Sequence, residues 1–71
     1  MKTVEIKLKD EYIKLGQALK AAGLVQTGAD AKFLIQDGKV AVNGETEYQR
    51  GKKLHEGDVV SFEGTAVNIV R

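Results

Sequence analysis

Seventy-one residues, 42% of them apolar, suffice for one small hydrophobic core, so a single domain over residues 1–71 is expected. With no cysteine, neither disulfides nor thiolate metal sites can brace the fold, and aliphatic burial must hold it beside only two Tyr and two Phe. Eleven Lys and Arg against ten Asp and Glu leave a formal charge of +1, which excludes a surface that attracts nucleic acid everywhere and requires any such footprint to be local.

Thr3-Val4-Glu5-Ile6-Lys7-Leu8 alternates polar and apolar residues, which predicts a half-buried strand at a sheet edge. It lacks the apolar run of a secretory signal, and no stretch approaches the ~18 consecutive apolar residues of a membrane span, so no membrane partner is expected. The absence of Cys suits a cytoplasmic location. Asp10 is placed to cap a first helix in which Leu15, Ala18, Leu19 and Ala22 recur at helical spacing, with Gly23 as its stop. Lys14, Gln17 and Lys20 fall on the outward side of that helix. Gly16 inside it costs about 1 kcal/mol against Ala, which predicts close approach of another backbone, that of the second helix. Leu24-Val25-Gln26 is a short connection that sets the Leu15/Leu19 face against the Leu34/Ile35 face.

Thr27 is an N-cap, with Asp30 three residues on completing a capping-box-like pair, and Ala31, Leu34 and Ile35 form the apolar stripe of a second helix ended by Gly38. Lys39 to Val42 then alternates as a strand. Asn43-Gly44 predicts a type I′ turn, so Glu45-Thr46-Glu47 should pair back on that strand. From Tyr48 to Gly57 no period is sustained, which predicts a loop anchored by Leu54 and turned at Glu56-Gly57. Asp58 to Glu63 reads as a strand with Val60 and Phe62 inward, Gly64-Thr65 as a turn, and Ala66 to Val70 as a last strand with Val67 and Ile69 on one face. The sum is an α+β fold: two packed helices against a small, mostly antiparallel sheet.

Catalysis is not expected. His55 is the one imidazole, there is no Cys to activate, and a metal site normally takes three or four matched ligands, so no cofactor and no metal is implied. Gly23, Gly38, Gly44, Gly57 and Gly64 mark turns and helix ends, and no Gly-rich phosphate loop followed by Lys-Ser or Lys-Thr is present. Glu45, Glu47 and Glu63 read as solvated residues that protect strand edges. The functional signal is positive charge. Arg50-Gly51-Lys52-Lys53 places three cations in four residues, and Lys32 and Lys39 lie on and just after the second helix. Taken alone, such a run describes a solvated loop.

The spacing Ala31…Leu34-Ile35-x-x-Gly38-Lys39-Val40-x-Val42-Asn43-Gly44, followed by Gly57-Asp58-Val59-Val60, resembles the RNA-binding domain first described in ribosomal protein S-four, also called the alpha-L motif. The resemblance runs from about Ile13 to Phe62. It implies RNA binding by a helix pair and an adjoining strand loop, with Lys32, Lys39, Arg50, Lys52 and Lys53 on one basic face and the backbone at Thr27-Gly28 open to a phosphate. In many relatives the turn into the second helix is Ser-Arg or Thr-Arg. Here Thr27-Gly28 and Asp30 remove a cation and add an anion, as in small standalone bacterial members.

With Phe33 and Tyr48 the only aromatics among these cations, shape and backbone recognition of structured RNA, ribosomal or transfer, fits better than a stacking platform for single strands. Ribosomal particles or assembly factors are the accompanying partners. Two other readings stand beside it. One is a protein-interaction adaptor on the same fold. The other is a β-grasp sulfur carrier, which Val-x-Val-Asn-Gly-Glu…Glu-Gly-Asp-x-Val also resembles, although carriers end in Gly-Gly and this sequence ends Asn68-Ile69-Val70-Arg71.

Overall fold

The N-terminal alternation forms β1 (Lys2–Lys7), the first element of a computed structural model that describes residues 2–71. There follow β2 (Ile13–Lys14), α1 (Leu15–Ala21), α2 (Gly28–Gln36), β3 (Val40–Val42), β4 (Glu45–Thr46), β5 (Lys53–Leu54), β6 (Val59–Phe62) and β7 (Thr65–Val70). Five strands make one sheet in the order β1-β7-β6-β3-β4, and β2 and β5 form a separate two-stranded ribbon. The β3/β4, β3/β6 and β6/β7 pairs are antiparallel, and β1 joins the edge parallel to β7, with Val4 opposite Val67 and Ile6 opposite Ile69. The expected architecture of two helices and a mostly antiparallel sheet, with β1 at an edge, is therefore present.

The core is built from both helices and the inner sheet face. Leu15, Ala18 and Leu19 of α1 and Ala31 and Ile35 of α2 are fully buried beside Val40, Val60, Val67 and Leu54. Val4, Ile6 and Leu8 pack against this cluster, as their alternation predicts. Both helices end alike. The N–H of Leu24 donates to the Leu19 carbonyl and that of Gly23 to Lys20, and the same pair of bonds recurs after α2 from Lys39 to Leu34 and from Gly38 to Ile35. These are the Schellman bonds that satisfy the last carbonyls of a helix. Thr27 caps α2 as expected, its Oγ1 accepting from the Asp30 N–H at 3.1 Å.

Four expectations change. Asp10 does not cap α1, which starts only at Leu15, with Lys14 at the N-cap position and no side-chain cap. The N–H groups of Leu15 and Gly16 donate instead to the carbonyls of Lys52 and Arg50, at 2.8 and 3.1 Å, so a distant loop supplies the cap. Consequently the Tyr48 to Gly57 segment is not all loop, because Lys53 and Leu54 pair with Lys14 and Ile13. The backbone that approaches Gly16 belongs to that segment rather than to α2, although the nearest atoms are those of a side chain. Finally, the last turn falls at Glu63-Gly64, both at positive φ, and β7 begins at Thr65.

Candidate nucleic-acid interface

The Arg50 to Lys53 run is hydrogen-bonded from inside. Glu47 donates its N–H to the Val40 carbonyl, and its carboxylate Oε2 accepts from the N–H groups of Tyr48 and Gln49, at 3.2 and 3.1 Å. Lys52 N–H then donates to the Gln49 carbonyl, closing a turn, before β5 pairs with β2. Because the Arg50 and Lys52 carbonyls face the start of α1, the backbone is spent inward and the cationic side chains are left exposed.

Arg50 lies between the two helices. A Cβ at Gly16 would stand 2.7 Å from its Cγ and 3.2 Å from its Cδ, so the stem crosses α1 where only a hydrogen fits. Its Nη1 reaches the Gly28 carbonyl at the start of α2, a long contact of 3.5 Å that orients the guanidinium more than it binds it. Around it opens a cleft of about 340 Å³ lined by Lys14, Gly16, Gln17, Lys20, Gly28, Arg50 and Gly51. Three cations thus face one concavity. Lys14 is also directly opposite Lys53 in the β2/β5 ribbon, a like-charge cross-strand pair.

The residues expected from the sequence divide between places. Arg50 and Gly28 line this cleft. Lys32, exposed and four residues beyond Gly28, continues the same flank of α2. Lys39 is exposed just past the Gly38 cap. Thr27 borders α2 with its side-chain oxygen engaged in the cap. Lys52 and Lys53 line a second recess of about 480 Å³ together with Glu45, Glu47, His55 and Asp58, where the charge is mixed. Lys53 Nζ stands 4.9 Å over the Tyr12 ring, which is itself 6.2 Å from His55.

Asp58 organises that second recess. Its carboxylate accepts from the His55 N–H at 2.7 Å and from Asn43 Nδ2 at 3.0 Å, while Asn43 Oδ1 accepts from the Val59 N–H. The backbone bond from His55 holds its pKa below the ordinary aspartate value against the opposing effect of burial, helped by Asn43, His55 and Lys52. This ties the hairpin turn to the turn before β6.

Lys14 and Lys20 are the cleft cations that sequence reasoning set aside as merely outward-facing. Their partner Arg50 is far along the chain, and only the β2/β5 pairing reveals that they share a site. Among the described residues no group of three or more His, Cys, Asp or Glu could hold a metal ion, and no helix is long and apolar enough to cross a membrane.

Comparison with known proteins agrees with the fold. The S4 domain family matches residues 6–70. Bacillus subtilis RlbA, named as a probable ribosome maturation protein, is 46% identical over 59 residues, 83% of each chain. YbcJ of Escherichia coli is 37% identical over 62 residues, 87% of this chain and 89% of that one. Its solution structure, described as an alpha-L motif involved in RNA binding, superposes with a TM-score of 0.70 at 35% identity, covering 100% of this chain and 89% of its own. With the helix pair, the hairpin turn and the matched span in agreement, this chain belongs to the S4 domain family.

Proposed function

We propose that this protein is a non-catalytic RNA-binding module for structured ribosomal or transfer RNA, working in the cytoplasm during ribosome assembly or translation. The observation that carries the reading is the convergence of Lys14, Lys20 and Arg50 on one cleft between the helices, with Gly28 at its wall. Two lysines and a planar guanidinium there match the phosphates of a folded RNA backbone, the lysines as point charges and Arg50 as a fork. Lys32 and Lys39 extend the footprint along α2, Thr27 and Gly28 let the backbone near, and Lys52 and Lys53 contribute from the rim. The names of RlbA and YbcJ support the same direction, RNA binding for one and ribosome maturation for the other. Ribosomal particles or assembly factors are then the surroundings in which the module works.

Fluorescence anisotropy against fragments of ribosomal RNA, transfer RNA and a DNA duplex across a salt series tests the reading. Preferential binding of structured RNA, weakened by salt, is the expected result. Equal binding of the DNA duplex, or none to any RNA at low salt by the folded protein, contradicts it.

The adaptor reading has one observation of its own. Phe33 is 66% exposed on α2, beside Leu24, Leu34 and Asp30. Co-purification with ribosomal particles that survives nuclease treatment would favour it.

A further inference from the structure

We infer that Tyr48 is a stacking surface for one unpaired nucleotide of the bound RNA, an inference that rests on the RNA-binding reading above. Tyr48 is 62% exposed and takes no part in the core cluster, so its ring does little for folding. Yet it is held in place. The Glu47 carboxylate fixes its N–H, and the Glu47 N–H is fixed in turn by the Val40 carbonyl. Ring atoms Cε1 and Oη lie 3.5 Å from where a Cβ would stand at Gly38, so the ring packs over that glycine.

The other tyrosine provides the contrast. Tyr12 is 38% exposed and has the Lys53 ammonium over its ring, so it is engaged within the molecule. The exposed part of Tyr48 is left for a partner. Lys39 follows Gly38 directly in the sequence, and Arg50, two residues beyond Tyr48, directs its side chain to the other end of α2.

The placement also sets a path. The Arg50 side chain meets α2 at Gly28 and the Tyr48 ring packs just past its far end at Gly38, so the two side chains diverge toward opposite ends of the helix. The helix between those two contacts, Gly28–Gln36, rises roughly 12 Å, with Lys32 midway along it. An RNA strand whose phosphates enter the Arg50 cleft would follow α2 and bring a base to Tyr48. Stacking on one ring needs a base already out of the helix, as at a bulge or loop, and tolerates any base because every base has a π face.

The test uses two RNA hairpins, identical except that one carries a single unpaired 2-aminopurine in its stem, titrated with wild type, Tyr48→Phe, Tyr48→Leu and Tyr48→Ala. Wild type and Tyr48→Phe should bind the bulged hairpin about tenfold more tightly than the paired one and quench the 2-aminopurine emission. Tyr48→Leu and Tyr48→Ala should lose preference and quenching while keeping the paired-hairpin affinity. Preserved preference in the leucine and alanine variants, or no preference in wild type, overturns the stacking role and leaves RNA binding intact. Failure of wild type to bind either hairpin at low salt overturns both.

Discussion

At Gly16 a hydrogen stands where a methyl group would meet the stem of Arg50 at 2.7 Å, and this sets the sign of a substitution there. Gly16 is the second residue of α1, in its first turn, so Ala there gains less than the ~1 kcal/mol over Gly of a helix interior. In the presence of Arg50 that gain is offset by displacing the stem, so Gly16→Ala should barely raise stability while weakening RNA binding. In an Arg50→Ala background the same change should stabilise by less than ~1 kcal/mol. A double-mutant cycle by chemical denaturation measures both, and additive effects would sink the packing argument. Asp58 gives a pH prediction. Its folded pKa lies below the ordinary value of 3.8, so its contribution is complete above that value and is lost as pH falls through the lower native one. Stability of wild type should therefore fall more steeply below about pH 4 than that of Asp58→Asn, as thermal melts across that range would show.

Among the elements, the β2/β5 ribbon is small in length and large in consequence, because it joins the basic run to the start of α1. Leu54 is its anchor in the core, fully buried. Leu54→Ala should cost about 2–5 kcal/mol, and partial denaturation should release the Leu15 and Gly16 amides to hydrogen exchange before those of β6 and β7. Simultaneous release would show that the ribbon does not open separately.

The same element marks where reading the sequence stops. Strands of four to six residues show their period, and helices announce themselves through Thr27, Gly23 and Gly38. A two-residue strand has no period to show. Without it, Asp10 looks like a cap, Lys14 and Lys20 look like unremarkable surface, and Gly16 points to the wrong neighbour. Arg50 was legible as charge, whereas its seat between the helices depends on hydrogen bonds formed across more than thirty residues of chain.

Over the whole molecule, a net charge of +1 is compatible with RNA binding only because cations and carboxylates are unevenly distributed. The α1/α2 cleft gathers Lys14, Lys20 and Arg50, while Lys52 and Lys53 share their recess with Glu45, Glu47 and Asp58. Charge reversal at Arg50 should accordingly weaken RNA binding more than reversal at Lys52, and anisotropy titrations of the two variants would rank them. Equal losses would mean that the two recesses act as one surface.

The most direct test of the cleft is the salt dependence of binding to a structured ribosomal RNA fragment, compared between wild type and the Lys14→Glu, Lys20→Glu, Arg50→Glu triple variant. With about four phosphates neutralised, wild type should show log K falling against log[salt] with a slope of roughly −3 to −4. The triple variant, folded by circular dichroism, should bind at least about tenfold more weakly at low salt with a slope shallower by about 2–3. An unchanged affinity and slope in the folded triple variant would contradict the assignment of this cleft as the RNA-binding site.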